Sequence, residues 1–178
     1  MRFTPTPVAG VVVVDIEPAS DDRGFFARLH CPEEFARAGH PFVPAQTSLS
    51  RNAASGTLRG LHYQAAPYAE TKLVRVTRGR VFDVAVDLRP DSDTYRQWTA
   101  HELSAETGRA LLIPAGVAHG FLTREPDTDV LYQIDRMFEA GHDRGARWND
   151  LAFAIAWPAA PAVISERDAT YPDYAPDR

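Results

Sequence analysis

Between Val81 and Leu88 the chain alternates. Phe82, Val84, Val86 and Leu88 make one wholly apolar face, while Val81, Asp83, Ala85 and Asp87 make another that carries two carboxylates. A period of two predicts a strand with one face on a core and the other lining a half-polar, wet interior. Segments of strand character recur from Phe42 onward with little but turns between them, over 42–50, 57–64, 71–78, 80–89, 95–103, 109–114, 117–123 and 128–137. Arg78-Gly79 reads as a hairpin turn, and Ile113-Pro114-Ala115-Gly116 as a turn before His119. Upstream, the β-branched run Val11-Val12-Val13-Val14 predicts a first strand, and Asp21-Asp22-Arg23-Gly24 a turn into Phe25-Phe26. One helix is signalled, over 31–39: Pro32 suits its first position, Glu33 and Glu34 favour the positive end of its dipole, and Gly39 stops it. Eight strands without intervening helices predict an all-β sandwich, jelly roll or barrel with a short peripheral helix. The proline-rich tail, about 158–178, is expected to run extended over the body, with Ser165 to Asp168 the part committed to a partner.

Composition narrows this picture. The 178 residues suit a single domain, 1–178, and 14 prolines against 11 glycines suit many turns rather than long helices. A net charge of -5 with scattered Lys and Arg offers no footprint for a nucleic-acid backbone. Cys31 is the only cysteine, which excludes an internal disulfide, fits a reducing compartment and suggests an inert, partly buried thiol. Val11 to Val14 is far too short to span a bilayer, and the first ten residues lack the apolar stretch of a secretory leader, so no membrane is expected and the cytoplasm is the expected location.

The richest chemistry lies in Arg59-Gly60-Leu61-His62-Tyr63-Gln64. A histidine in a sheet must find partners for two nitrogens or stay wet, so a site built on it is worth considering. His62 and His119 each sit in a strand-like segment near glycine, where a ligand can approach the backbone; a site and a satisfied structural histidine both remain open for them. For His30, His40, His101 and His142 the structural reading is preferred. Gly60 permits a bulge that would bring Arg59 and His62, which differ in strand parity, to one face. Pro114-x-Gly116-x-x-His119 resembles the second half of a cupin cation motif, but Gln64 stands where the first half would place its second histidine. Two imidazoles and an amide hold a divalent ion poorly, which favours a metal-free site. Arg59 and Lys72 beside it suit an anion such as a diphosphate, or are surface charges.

The runs Gly56-Thr-Leu-Arg-Gly-Leu-His-Tyr-Gln64, Lys72-Leu-Val-Arg75, Asp83-Val-Ala-Val-Asp-Leu-Arg89, Ile113-Pro-Ala-Gly-Val-Ala-His-Gly-Phe121, Val130-Leu-Tyr132, Arg147-Trp-Asn-Asp150 and Ser165-Glu-Arg-Asp168 together resemble the dTDP-4-dehydrorhamnose 3,5-epimerase family. The resemblance implies a cupin-like jelly roll, a homodimer, and epimerisation of a nucleotide-linked 4-keto-6-deoxyhexose at C3, C5 or both, without metal or organic cofactor. A proton is taken beside the C4 ketone and returned to the other face of the enolate, which requires a base and an acid on opposite sides. By resemblance His62 is the base, Asp168 orients and charges it, Tyr132 is the acid, and Lys72 meets the enolate oxygen. Arg59 and His119 lie on sugar or phosphate, Arg23, Gln46 and Asp143 on the nucleotide and its diphosphate, and Phe26 and Phe138 sandwich the base. Ser48, Asp83 and Arg167 complete the substrate-binding set.

Departures from the pattern bear on the substrate. Arg28 stands where members often carry Glu, and Gln46-Thr47-Ser48-Leu49-Ser50-Arg51-Asn52 where rhamnose-pathway members typically have Gln-Asp-Asn and a final Ser; Glu70 precedes Lys72. These point to a divergent branch, serving a nucleotide other than dTDP or inverting one centre. A 4-keto sugar isomerase that moves the carbonyl is a rival reading, against which Tyr132 counts. A non-catalytic binding module is another, against which the intact His62, Lys72, Tyr132 and Asp168 count.

Overall fold

The computed structural model describes residues 1–175. One six-stranded sheet is ordered β1 (Arg2–Pro5), β2 (Val12–Asp15), β10 (Ala110–Ile113), β7 (Lys72–Arg78), β12 (Thr128–Ile134), β5 (Gln46–Asn52). The facing sheet is ordered β13 (Asp143–Gly145), β6 (Thr57–Gln64), β11 (Val117–Thr123), β8 (Arg80–Asp87), β9 (Trp98–Ser104), with β14 (Val163–Ile164) running parallel to β6. A separate hairpin joins β3 (Ala19–Asp21) to β4 (Gly24–Phe26). Two antiparallel sheets face to face, filled from both sides by Val74, Val76 and Leu111 and by Val81, Ala85 and Phe121, make a jelly roll.

The alternation of β8 sets what each face of its sheet does. Val84 and Val86 point away from the barrel and pack with Leu61, Ala118, Ala146 and Phe153, so a layer of later chain covers the sheet from outside. Val81 and Ala85 point inward to the core, and Asp83 shares their parity. Asp87, expected to line the interior, instead closes the turn that ends the strand. Its buried carboxylate accepts from Arg89 Nε at 2.8 Å, Ser92 Oγ at 2.5 Å and Thr94 Oγ1 at 2.7 Å. Burial alone would raise its pKa, but these hydrogen bonds outweigh that and hold it far below the usual carboxylate range.

The sequence boundaries shift where a local partner overrides pattern. The segment predicted as strand over 42–50 pairs only from Gln46, because Phe42 is buried against Phe35 of α1 (Pro32–Arg37) on the outside of the first sheet. The tail does not simply run extended: β14 adds to the sheet, and Ser165 caps a four-residue helix, α2 (Glu166–Ala169), its Oγ accepting from the Asp168 amide at 3.1 Å. Residues 176–178, the end of that expected tail, lie outside the described residues. Among the described residues no helix is long and apolar enough to cross a membrane.

Gly60 produces the predicted bulge. His119 pairs with His62 and Phe121 with Arg59, so two steps on β11 span three on β6, and Arg59 and His62 share the inward face. The crossing is tight. Gly60 has φ +123°, and a Cβ there would lie 2.5 Å from Gly120 Cα and 2.8 Å from the His119 carbonyl oxygen.

Candidate active site

Asp168 reaches His62 across 106 positions of sequence, because β14 and α2 dock the tail beside β6. Its Oδ1 lies 2.8 Å from His62 Nε2, and its Oδ2 accepts from the Gly60 amide at 3.2 Å. Burial would raise the pKa of this carboxyl, yet the hydrogen bonds from His62 and Gly60 hold it below its ordinary value. A charged Asp168 accepting Nε2–H leaves Nδ1 of His62 as the proton acceptor, the arrangement of an oriented His–Asp pair.

Lys72, on the inward face of β7, is buried to 7% exposure with its ammonium 3.1 Å from Glu70 Oε1. The Lys72 Nζ also donates to the His62 carbonyl at 3.3 Å. Burial pushes this ammonium below its ordinary pKa while Glu70 pulls the other way. Glu70 is itself held: its Oε2 accepts from Gln64 Nε2 at 2.7 Å, and Gln64 Oε1 accepts from the Glu139 amide at 3.1 Å. The amide that replaced a histidine in the cupin-like motif therefore braces the lysine's counter-ion. His62, Gln64, Lys72, Phe138, Asp143 and Arg167 line a cavity of about 250 Å³. Asp143 and Arg167 are ion-paired at its rim, and Arg167 lowers the pKa of the Asp143 carboxyl.

Tyr132 comes from the sheet that carries Lys72 and faces the one that carries His62. It faces Ser48 across the β12–β5 ladder and meets His119 edge to face, with ring centroids 5.7 Å apart. Burial, with the nearby Asp83 charge adding and Arg59 opposing, pushes its phenol far above its ordinary pKa, so it stays protonated at neutral pH. His119 Nε2 lies 2.9 Å from Asp83 Oδ2, and both residues are buried. Neither lines the cavity directly, and Asp83 serves as the buried partner of His119.

The remaining predicted residues divide. Arg59 reaches across the barrel to donate its Nε to Asn52 Oδ1 at 2.8 Å, and Gln46 shares the face of Ser48 and Tyr132, with its amide on the Arg136 carbonyl at 2.8 Å. Arg23 and Phe26 do not join the cavity. They sit on the β3–β4 hairpin, exposed, and line a cleft of their own; Phe26 is 81% exposed. Arg28 is tied to Glu34 of α1, Nη1 to Oε1 at 2.6 Å. Sequence reasoning missed the role of Glu70, noted only as a departure, and missed Tyr171 entirely, whose ring stands beside His62. Among the described residues no group of three or more His, Cys, Asp and Glu converges as a metal cluster.

A base carried by one sheet, a protonated phenol on the other and an ammonium beside the base suit proton transfer next to a carbonyl. The family model for dTDP-4-dehydrorhamnose 3,5-epimerase matches residues 5–175. The chain belongs to this family. The dTDP-4-dehydrorhamnose 3,5-epimerase of Sinorhizobium fredii is 42% identical over 97% of this chain and 89% of that protein. The crystal structure of the Bacillus anthracis dTDP-4-dehydrorhamnose 3,5-epimerase, with TDP and pyrophosphate bound, superposes with a TM-score of 0.94 at 39% identity, covering 97% of this chain and 99% of that one. A dTDP-4-dehydrorhamnose 3-epimerase from Streptomyces niveus is 34% identical over 94% of this chain and 81% of that protein. The protein is thus a sugar-nucleotide epimerase, and its cupin-like jelly roll is the fold of these relatives.

Proposed function

We propose that this epimerase inverts both C3 and C5 of a dTDP-linked 4-keto-6-deoxyhexose. His62 takes the proton beside the C4 ketone, Lys72 meets the enolate oxygen, and Tyr132 returns a proton to the opposite face. The observation that carries this reading is the placement of the His62–Asp168 pair and of the protonated Tyr132 on facing sheets of one barrel. A prearranged donor at an enolate oxygen is commonly worth about 3–4 kcal/mol, which is the part assigned to Lys72. In this reading Phe138, at the cavity rim, stacks on the nucleotide base, and Arg167, oriented by its ion pair with Asp143, meets the diphosphate.

The second reading is a single-centre enzyme, favoured by the 3-epimerase relative and by the altered segment from Thr47 to Asn52. Proton NMR of dTDP-4-keto-6-deoxyglucose in D2O separates the two. Exchange of both H3 and H5 supports the double epimerase, exchange of one the single-centre enzyme, and exchange of neither defeats both.

The working unit is proposed as a homodimer, in which the β3–β4 hairpin carries Arg23 and Phe26 to the partner's cavity. Support comes from that hairpin's exposure and from Leu29, Val43 and Leu49, which are exposed on or near the outer side of the first sheet. Leu49 continues through Leu131 to Arg75, a buried guanidinium whose Nη1 has no hydrogen bond and whose pKa burial lowers to about 10. Sedimentation as a monomer at micromolar concentration would defeat the dimer. The cytoplasm is the proposed location, in keeping with a lone thiol and a nucleotide-sugar substrate.

A further inference from the structure

Gly145 stands directly opposite His62 where β13 pairs with β6. The space a side chain would fill there is taken by Tyr171: a Cβ on Gly145 would lie far inside van der Waals contact of the Cζ and Cε carbons of its ring. The same ring meets the His62 imidazole edge to face, with centroids 6.2 Å apart and planes at 72°. The Arg167 guanidinium lies over it at 5.7 Å and is ion-paired with Asp143, on the same strand as Gly145. One short stretch of chain thus presents both the carboxylate that bonds His62 and the ring that walls it. The Tyr171 hydroxyl is buried close to Arg167 without the geometry of a hydrogen bond, so the packing uses the ring rather than the hydroxyl.

A hydrogen bond to one nitrogen leaves an imidazole free to swing about that bond. His62 has room to do so, because its side chain is 42% exposed toward the cavity. Abstraction of a proton from carbon requires the other nitrogen to be aimed along the C–H bond, and small errors of aim are costly. An aromatic ring packed edge to face with the imidazole removes the swing, in the geometry that ring quadrupoles favour. The glycine at the facing ladder position is what lets that ring come so close.

We propose that Tyr171, seated in the gap left by Gly145, is a positioning residue that fixes the plane of the His62 base. The proposal rests on the reading of His62 as the base. It assigns Gly145 a purpose in the site, since a side chain there would evict the ring.

The test measures kcat and KM for deuterium wash-in to dTDP-4-keto-6-deoxyglucose by NMR, with the Tm of each variant. Tyr171→Phe keeps the ring and is expected to stay within about twofold of the parent, while Tyr171→Ala and Gly145→Ala each lower kcat about tenfold with KM little changed. Gly145→Ala keeps the tyrosine and changes only its seat, so it decides the matter should Tyr171→Ala fail to fold. Parental kcat in a folded Tyr171→Ala or in Gly145→Ala would overturn the proposal. A raised KM at unchanged kcat would also overturn it, because it would make Tyr171 a substrate contact. His62→Asn in the same assay separates the two levels: if it abolishes wash-in while Tyr171→Ala behaves as the parent, the positioning role alone fails. Wash-in that survives His62→Asn would remove the base and the proposal together.

Discussion

His119 and His62 face each other across the β11–β6 ladder, and each imidazole presents Nε2 to its own buried carboxylate, Asp83 or Asp168. The two pairs differ in access. His62 is open to the cavity while His119 is enclosed, and Tyr132 stands against His119 rather than against His62. The proposed base and acid are thereby kept apart, which inversion of a carbon centre demands: groups that touched would exchange a proton with each other instead of across the sugar.

Removing the acid should therefore separate two events that occur together in the parent enzyme. Tyr132→Phe is expected to keep proton removal by His62 and lose delivery to the opposite face. Deuterium would then enter at C3 or C5 with configuration retained, while formation of inverted product falls by roughly a hundredfold or more. Equal loss of wash-in and inversion, followed by NMR in D2O, would contradict this division of labour.

Gly60 joins conformation to close packing, and both fail together on substitution. A side chain there meets backbone of Gly120 and His119 on the neighbouring strand, at a φ of +123° that L-residues rarely adopt. Gly60→Ala is expected to cost at least about 2 kcal/mol and to depress activity, because the same peptide donates to Asp168. Urea unfolding reads the stability term as a lowered midpoint. A midpoint equal to the parent's would show that the strands part without penalty.

Asp87 makes the acid limb of stability predictable in sign. Its folded-state pKa is held far below the unfolded value near 3.8, so the unfolded chain binds more protons as pH falls. The stabilisation is fully present above that unfolded value and is lost progressively below it, as the pH descends toward the folded-state value. Asp87→Asn should lower Tm at neutral pH and flatten its fall below about pH 4. A variant whose Tm drops in parallel with the parent's through the acid range would place the titration elsewhere.

The parts of the fold that were legible are those set by local alternation. β8 shows its two faces in Val81 to Leu88, whereas Arg78-Gly79, which reads as a hairpin turn, is instead the corner that carries the chain from β7 in one sheet to β8 in the other. What misled was geometry supplied from afar. Phe42 is apolar and strand-like, yet Phe35 claims it; Asp87 has the parity of an interior carboxylate, yet Ser92 and Thr94 fold back on it. The site divides the same way. His62, Lys72, Tyr132 and Asp168 stand in motifs, whereas the bracing of Lys72 through Glu70 and Gln64 and the wall made by Tyr171 depend on which loops return to which strand. Nothing in the spacing of Gly145 and Tyr171 announces that one fills the vacancy of the other.

The docking of β14 and α2 against β6 gives the enzyme an order of assembly. The first sheet is complete at Ile134 and only the short β13 and β14 follow, and the carboxylate for His62 arrives only with Asp168. A ribosome-bound chain that has closed its barrel therefore holds a base without its counter-charge, and becomes competent last of all.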